Sequence, residues 1–287
     1  MSEQIPPQQQ ARQPGVEGEM TPPAEFIRDD YQGSGKLRGR VAIVTGGDSG
    51  IGRAVALHFA REGADVVIPY LDEHEDAGET QRLVEAEGRH CLLIEADLSR
   101  AEACRDAVAR TIEQFDRLDV LVNNAARQEL HDEPEATSDE EWLTTFDVNI
   151  HAYFYMAKAA LPHLRRSGGT IINSTSVNAY AGHPKLLAYT TTKGAISGFT
   201  RALSQMTVGD GVRVNQVAPG PIWTPLIPST MGQFDTGMVE DFGAQSPMGR
   251  AGQPSELGPA YVYLASRDSS YVSGQTIHVN GGMIVNG

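Results

Sequence analysis

Cysteine is scarce in this sequence of 287 residues, and long apolar runs are absent. The two cysteines, Cys91 and Cys104, fall in a predicted strand and a predicted helix, so we expect small buried side chains rather than a disulfide framework. No stretch approaches the roughly 18 apolar residues that a transmembrane helix needs. The first ten residues show neither the basic start nor the apolar stretch of a secretory signal. We therefore expect a cytoplasmic protein.

Basic residues are also in short supply. The sequence has 23 Lys and Arg against 37 Asp and Glu, a net charge of −14. This balance argues against a nucleic-acid partner, because little would neutralise the phosphates along a groove. The eight histidines are scattered without metal-ligand spacing, so we expect no metal site. The hydrophobic content of 40% is ample for a core, and the 21% of charged residues is too low for general disorder.

The chain divides by composition into two parts. Residues 1–36 are rich in Pro, Gln, Glu and Gly without apolar periodicity, which predicts an extended tail. Two interpretations stay open: a tail wrapped over the core or a neighbouring subunit, and a loose tail without function. Residues 37–287 are predicted to form one domain, a size that α/β folds often reach.

Apolar runs alternate with helical patterns from residue 40 onward. Strands are predicted at 41–46, 65–70, 90–96, 120–124, 170–174, 213–218 and 276–280. Helices are predicted between them, two of which begin at capping-box patterns, Ser99 with Glu102 and Ser138 with Glu141. The second of these is predicted to run to about Arg166. The alternation predicts an α/β fold, a Rossmann-like doubly wound parallel sheet of about seven strands with helices on both faces. Right-handed crossovers would place all carboxyl ends of the strands at one edge, where ligands bind.

The turn after the first strand is rich in glycine. It reads Thr-Gly-Gly-Asp-Ser-Gly-Ile-Gly at 45–52, and its Gly-x-x-x-Gly-x-Gly spacing differs from the commoner Gly-x-Gly-x-x-Gly fingerprint. A turn of small residues lets the backbone approach a pyrophosphate and directs a helix N-terminus at it. Its place at the start of a βαβ series predicts a nucleotide site.

Several motifs in order along the chain resemble those of the short-chain dehydrogenases/reductases. They are the Thr-Gly-x-x-x-Gly-Ile-Gly turn, Asp97 after the third strand, Asn-Asn-Ala-Ala at 123–126, and Pro219-Gly220 followed by Ile222 and Thr224. Ala126 departs from the pattern, since the family usually has glycine there. The resemblance covers residues 37–287. The tail, the Gly-Gly-Asp-Ser-Gly-Ile-Gly turn and the Tyr-Leu ending of the second strand also resemble a bacterial general-stress or aldehyde-reductase-like subgroup.

The resemblance implies NAD(H) or NADP(H) as cofactor. The residues that it assigns to cofactor binding are Gly46, Asp48, Ser49, Gly50, Ile51, Gly52, Tyr70, Leu71, Asp97, Leu98, Asn124, Ala125, Ala126, Tyr189, Lys193, Pro219, Gly220, Ile222 and Thr224.

The choice between the two cofactors depends on the end of the second strand, where an acid binds the ribose 2′-hydroxyl and a base accepts a 2′-phosphate. The strand ends in Tyr70-Leu71, with neither, and acids follow it at Asp72 and Glu73. We favour NAD. Arg53 leaves the other choice open, either reaching the phosphate or lying on the surface.

Four residues match the catalytic set of the family. Tyr189 and Lys193 lie four apart, so both project from one face of a helix. Ser176 lies just beyond the fifth strand, and Asn149 in the long helix before it. Singly, Asn149 could cap or bridge, Ser176 could be a loop hydroxyl, and the other two could be exposed. By resemblance, Tyr189 is the general acid and base, Ser176 holds the substrate oxygen, Lys193 also binds the nicotinamide ribose, and Asn149 supports a proton path.

The chemistry explains why Tyr and Lys occur together. A free tyrosine has a pKa of about 10, and lowering it to about 7 takes roughly 4 kcal/mol. A unit positive charge at about 4 Å supplies roughly that amount at an effective dielectric constant of about 20. We therefore expect Lys193 to lower the pKa of Tyr189.

The substrate is predicted only as a class, a small carbonyl or alcohol such as an aldehyde, ketone or simple sugar. Residues 225–250, rich in Pro, Gly and Met, suit a mobile lid over it. Met231, Met238, Phe242, Asn178, His183 and Trp223 suit a pocket wall or ordinary packing equally. The alternative function is a catalytically silent dinucleotide-binding redox sensor or scaffold. Nucleotide-sugar epimerase chemistry is not expected, because it usually needs a larger C-terminal domain. The resemblance implies a homo-oligomer, a tetramer.

Overall fold

The protein forms a seven-stranded parallel sheet, which the computed structural model describes over residues 5–283. The strand order is β3-β2-β1-β4-β5-β6-β7. The strands are β1 (Val41–Val44), β2 (Asp65–Tyr70), β3 (Cys91–Glu95), β4 (Val120–Asn123), β5 (Thr170–Ser174), β6 (Arg213–Pro219) and β7 (Thr276–Val279). The direction of winding reverses between β1 and β4, where doubly wound folds bind their ligands.

Ten α-helices connect and cover the strands in the described part of the chain. They are α1 (Gly50–Arg61), α2 (His74–Ala86), α3 (Ala101–Phe115), α4 (Asp139–Phe146), α5 (Ala152–Ser167), α6 (Asn178–Ala181), α7 (Leu187–Thr207), α8 (Met231–Phe234), α9 (Thr236–Glu240) and α10 (Gly258–Ala265). Along β1, Ala42 and Val44 pack under α1 and α10, whereas Val41 and Ile43 pack under α3 and α5. Side chains of a strand alternate in direction, so each face of the sheet has its own core. The predicted Rossmann-like α/β fold is confirmed.

Two helix starts differ from the sequence expectation. Ser99 is not a cap: its hydroxyl donates to Asp97 Oδ1 at 2.6 Å, and α3 begins only after Arg100, which makes no side-chain cap. The predicted capping box there is wrong, because the nearer Asp97 carboxylate takes the Ser99 hydroxyl. Ser138 does cap α4, accepting from the Glu141 backbone N–H at 3.1 Å. The Glu141 carboxylate does not return to Ser138 but pairs with His131 at 2.6 Å.

The long helix predicted to end near Arg166 is interrupted. Asp147–His151 forms a single π-helical turn between α4 and α5. Such turns widen the backbone locally and are frequent at functional sites. Asn149 lies in the middle of this turn and is fully buried.

The N-terminal segment lies across the core in the described residues 5–36. Met20 is buried with Trp223, Ile227 and Met231 in a small apolar cluster outside the main core. The Trp223 indole donates to the carbonyl of Pro22 at 2.8 Å. Residues 1–4 of the predicted tail and 284–287 of the predicted domain lie outside the described residues.

No helix within residues 5–283 has both the length and the apolar character needed to cross a membrane. The two cysteines are unpaired, Cys104 buried and Cys91 half-buried. Burial raises the pKa of both thiols to about 12, so they are weak nucleophiles at neutral pH.

Candidate active site

A cavity of about 770 Å³ opens at the carboxyl edge of the sheet. This volume falls in the range of cofactor and substrate pockets, about 300–1,000 Å³. Its lining includes Tyr70 and Leu71 after β2, the glycine turn after β1, and Tyr189 with Phe242. The strand order places the turn after β1 between the ends of β2 and β5. The crossovers thus bring to one edge the residues that follow β1, β2, β3, β4, β5 and β6.

The glycine turn packs tightly against its own helix. A Cβ on Gly52 would lie only 1.9 Å from the carbonyl oxygen of Gly46, so only glycine fits there. Thr45 holds the neighbouring loop, because its hydroxyl accepts the backbone N–H groups of Asn124 at 2.9 Å and of Ala125 at 3.1 Å. The result is a strand, a tight turn and a helix N-terminus on the cavity wall, an arrangement that fits a dinucleotide pyrophosphate.

Arg53 neither reaches the cavity nor lies on the surface. It is 4% exposed, and its guanidinium donates to the Asp48 carbonyl at 3.0 and 2.7 Å and to the Thr80 hydroxyl at 2.8 Å. Both readings of this residue from the sequence are therefore wrong. Its role is to hold the backbone of the glycine turn.

The neighbourhood of the β2 end is acidic, with one base that the sequence did not point to. Asp48 and Glu73 lie on the cavity wall there. Arg12, from the N-terminal segment, pairs with Asp72 at 2.8 Å and with Glu73 at 3.1 Å. Burial and the adjacent Asp72 carboxylate raise the pKa of Glu73 to about 8. No local pattern pointed to Arg12, because it lies 60 residues from Asp72 along the chain.

Tyr189 and Lys193 lie one turn apart on α7 and face the cavity with Ser176. The Lys193 ammonium is 5.3 Å from the centroid of the Tyr189 ring and donates to the Ser174 carbonyl at 2.9 Å. Ser176 hydrogen-bonds the Tyr189 hydroxyl and thereby lowers the pKa of Tyr189. The Ser176 hydroxyl oxygen also accepts the Asn178 backbone N–H at 3.1 Å. Three of the four predicted catalytic residues therefore share one wall.

Burial dominates the titration of this pair in the protein alone. It raises the pKa of Tyr189 to about 12, against the smaller lowering by Ser176. It lowers the pKa of Lys193 to about 7. The lowered tyrosine pKa expected from the sequence is therefore not found in the chain by itself, because burial disfavours the charged forms of both groups, the phenolate of Tyr189 and the ammonium of Lys193.

Asn149 lies apart from the other three predicted catalytic residues. Its side chain is bonded in both directions to the backbone of Arg127, at 2.8 and 2.9 Å, and donates to the Thr192 hydroxyl at 3.0 Å. It therefore bridges the loop after β4 and the helix turn that precedes Lys193. Asn149 does not lie on the cavity wall.

The other predicted cofactor residues all border the cavity except Gly52, which supports the turn from behind. Those on the wall are Gly46, Asp48, Ser49, Gly50, Ile51, Tyr70, Leu71, Asp97, Leu98, Asn124, Ala125, Ala126, Pro219, Gly220, Ile222 and Thr224.

The N-terminal segment adds wall residues that sequence reasoning missed: Gln13, Pro14 and Gly15. The Gln13 amide forms two hydrogen bonds with the backbone of Gln128, at 2.9 and 3.0 Å. The composition of the N-terminal segment alone did not predict that it contacts the cavity wall.

Residues 225–250 form the far wall. Met231, Met238 and Phe242 border the cavity and also pack in the apolar cluster of Met20. Of the other ambiguous residues, Asn178 and His183 border the cavity, whereas Trp223 is fully buried as the partner of Pro22. Gln10 accepts from the Gln233 side chain and donates to the Pro228 carbonyl, both at 2.9 Å, so the N-terminal segment lies on this wall.

The structure brings together one group of potential metal ligands that their spacing in the sequence did not indicate. Oxygen and nitrogen atoms of Glu129, His131 and Glu141 lie within 4.8 Å of one another. All three side chains are already paired within the protein. His131 pairs with Glu141 at 2.6 Å, and Glu129 pairs with Arg127. The expectation of no metal site stays a prediction.

Comparison with known proteins identifies the family. The profile described as "Enoyl-(Acyl carrier protein) reductase" matches residues 46–284. A solved structure described as a putative short-chain alcohol dehydrogenase from Sinorhizobium meliloti 1021 superposes with a TM-score of 0.78 at 31% identity, covering 86% of this chain and 96% of that one.

Relatives with names also cover nearly the whole chain. General stress protein 39 of Bacillus subtilis is 52% identical over 98% of this chain and 97% of its own. Glucose and ribitol dehydrogenase of Daucus carota is 51% identical, over 99% and 98%. NADPH-dependent aldehyde reductase 1, chloroplastic, of Arabidopsis thaliana is 46% identical, over 97% and 98%.

Proposed function

The chain belongs to the short-chain dehydrogenase/reductase family and is an NAD(P)-dependent oxidoreductase, and on this premise we propose that Tyr189 is the general acid and base in the interconversion of a small carbonyl compound and its alcohol. The observation that carries the proposal is the cavity wall that Tyr189, Ser176 and Lys193 share near the end of β5, which β1 and β4 separate from the end of β2 at Tyr70. The glycine turn lies between these two ends. A dinucleotide laid along the cavity would thus bring its nicotinamide to Tyr189.

The bound nicotinamide supplies or accepts the hydride. In the reducing direction, the Tyr189 hydroxyl gives its proton to the substrate oxygen as negative charge develops there. A tyrosine with a raised pKa of about 12 is still a stronger acid than an alcohol, so this transfer is favourable. Ser176, whose oxygen accepts the Asn178 N–H, turns its proton from the Tyr189 oxygen to the substrate oxygen when substrate binds.

The oxidising direction places the larger demand on the site. Tyr189 must first lose its proton, and the nearby Lys193 ammonium stabilises the phenolate. Asn149 acts at one remove, because it holds the backbone of Arg127 and the Thr192 hydroxyl beside Lys193. A proton path through this region is part of the proposal.

The substrates that this cavity suits are small aldehydes, ketones and sugars. The cavity lining combines apolar Met238 and Phe242 with polar Asn178 and His183, so it accommodates both a carbon skeleton and hydroxyl groups. The names of the carrot and Arabidopsis relatives, a glucose and ribitol dehydrogenase and an aldehyde reductase, support these two classes. The test is a panel of aldehydes, aldoses and polyols with NADH, NADPH and their oxidised forms. No turnover by the wild type with any of them would contradict the proposal.

For the cofactor we propose a preference for NAD(H). A 2′-phosphate adds nearly two negative charges beside two acidic groups on the wall, Asp48 and Glu73; because the pKa of Glu73 is about 8, its repulsion of the phosphate grows as pH rises through that value. Arg53 is occupied by the Asp48 carbonyl, and Arg12 by two carboxylates, so neither cation compensates the phosphate. The Arabidopsis relative is named as NADPH-dependent, which makes side-by-side titration with both cofactors the necessary measurement.

We also propose a homo-oligomer, a tetramer as the family resemblance implies. Large apolar side chains are exposed on three helices: Leu143 on α4, Phe154 on α5, and Leu187 and Met206 on α7. Exposed apolar groups of this kind are typical of subunit contacts. Light scattering of the purified protein tests this, and a monomeric mass at micromolar concentration would contradict it.

A further inference from the structure

Glu17 is an acidic residue buried beside the glycine turn. It lies in the N-terminal segment, is 6% exposed, and its Oε2 accepts the backbone N–H of Gly50 at 2.8 Å. Gly50 is the first residue of α1, a helix of 12 residues. The first N–H groups of a helix have no partner within it, so the side chain of a distant segment satisfies one of them.

A hydrogen bond from its own backbone also holds Glu17 in place. Its N–H donates to Asp76 Oδ2, on α2, at 2.8 Å. Asp76 also pairs with Arg53 at 3.4 Å, the residue that holds the turn through the Asp48 carbonyl. Glu17 is therefore part of the same network that shapes the turn.

The second oxygen of this carboxyl group is the unusual feature. Oε1 of Glu17 is buried and has no hydrogen-bond partner in the described part of the chain. A buried ionised carboxylate with an unpartnered oxygen is costly, whereas a neutral carboxyl group carries a proton there that it can donate.

The charged groups around Glu17 act in both directions. Arg53 on α1 favours the ionised form, whereas Asp76 on α2 and Asp48 in the turn oppose it. Arg53 directs its N–H groups to the Asp48 carbonyl, to Thr80 and to Asp76. Burial is the largest influence and raises the pKa of Glu17 to about 7. The carboxyl group is thus balanced between its two forms near neutral pH.

We propose that Glu17, which the N-terminal segment places behind the cavity wall, is a positioning residue of the cofactor site that acts through Gly50, and that its carboxyl group has to be neutral when the dinucleotide pyrophosphate binds at the amino end of α1. The proposal rests on the placement of the cofactor proposed above. Gly50 connects Glu17 with the proposed pyrophosphate site. Its N–H donates to Glu17, and the residue itself lies on the cavity wall. An ionised Glu17 repels the pyrophosphate across this glycine and weakens the helix N-terminus as an anion site.

The linkage has a defined sign. A nearby pyrophosphate raises the pKa of Glu17 further, so the bound form holds a proton that the free form has partly lost above about pH 7. Cofactor binding therefore takes up a proton, and the affinity falls as pH rises from about 6 to about 8.5. We expect the Kd for NADH to increase about tenfold over this range.

The test is titration of the full-length protein with NADH by fluorescence at several pH values, together with calorimetry in two buffers of different ionisation enthalpy. Lys193 titrates in the same range, so the decisive quantity is the difference between the wild type and Glu17→Gln. This variant keeps an oxygen for the Gly50 N–H and cannot ionise. It should bind NADH more tightly than the wild type at about pH 8.5, with a flatter profile and about half a proton less uptake at about pH 7.

Glu19→Gln is the matched control, because Glu19 lies in the same turn of the segment and is exposed. It should keep the wild-type profile. Equal proton uptake and equal pH dependence in the wild type and Glu17→Gln would overturn the proposal. Calorimetry on the wild type alone provides a second check if the variant folds poorly: binding that takes up no proton near neutral pH also overturns it. The variant Asp97→Ala tests the placement of the cofactor separately, because Asp97 borders the cavity away from Glu17.

Discussion

The ammonium of Lys193 lies 5.3 Å from the ring centroid of Tyr189 and is bonded to the Ser174 carbonyl. A unit charge at this distance stabilises a phenolate by about 3 kcal/mol at an effective dielectric constant of about 20. This corresponds to about 2 pKa units. Because burial lowers the pKa of Lys193 to about 7 in the protein alone, this stabilisation requires that the negative charge of a bound dinucleotide keep the lysine protonated. The pair is therefore close enough to set the pH at which the enzyme oxidises an alcohol.

We expect Lys193→Met to shift the pH profile of alcohol oxidation upward by about 2 units, because the phenolate loses its stabilising charge. The measurement is kcat/KM for oxidation between about pH 6 and about pH 11. Lys193→Arg keeps the charge and should show a smaller shift. An unchanged profile in the methionine variant would contradict the role proposed for the lysine.

Tyr189→Phe removes the proposed proton donor while keeping the ring. We expect kcat to fall by about 10²- to 10⁴-fold with the Kd for NADH unchanged. Tyr180→Phe is the control, because Tyr180 lies on the neighbouring helix α6 and bonds Gln216 and Thr276 instead of facing the cavity. Comparable activity of the two variants would show that Tyr189 is not the acid.

Asp97→Ala tests where the adenine end of the cofactor lies. Asp97 borders the cavity after β3 and holds Ser99 through two hydrogen bonds, at 3.0 and 2.6 Å. We expect the Kd for NADH to rise about tenfold, the equivalent of one lost hydrogen bond of about 1.4 kcal/mol. Ser99→Ala controls for disturbance of the loop. If cofactor affinity survives in Asp97→Ala, the dinucleotide does not lie along this edge.

Leu71→Arg tests the cofactor preference. Leu71 is 44% exposed at the end of β2 and borders the cavity, so a cation there meets a 2′-phosphate without being buried. A charge-assisted hydrogen bond of about 1.5–3 kcal/mol predicts at least a tenfold rise in kcat/KM for NADPH relative to NADH. Leu71→Gln, which adds polarity without charge, should change this ratio little. A wild type that already prefers NADPH would contradict the proposed choice of NAD(H).

The indole of Trp223 should hold the N-terminal segment on the core. Trp223→Phe leaves the Pro22 carbonyl without its donor, and we expect a loss of about 1–3 kcal/mol in the free energy of unfolding. Protease should also cut the segment more readily. Trp142→Phe is the control, since Trp142 stacks on Phe146 within α4, away from the segment. Equal protease resistance of both variants would show that Trp223 does not hold the segment.

Local patterns in the sequence were sufficient for the sheet, for the glycine turn and for the pairing of Tyr189 with Lys193. Strand alternation, helix periodicity and turn residues are properties of neighbouring residues. An interval of four on a helix fixes two side chains to one face, whatever else the chain does. The same holds for the cap at Ser138, whose partner is three residues away.

Only the tertiary structure decided which polar groups meet across long intervals of sequence. Glu17 reaches Gly50, Arg12 reaches Asp72, and Arg53 turns inward to the Thr80 hydroxyl instead of facing solvent or a phosphate. Such contacts arise because buried donors and acceptors must find partners wherever packing brings them together. The periodicity of the sequence does not predict which groups will meet. The sequence by itself thus determined the fold and the chemical groups of the site. Packing decided that an N-terminal segment without apolar periodicity lies along one side of the site.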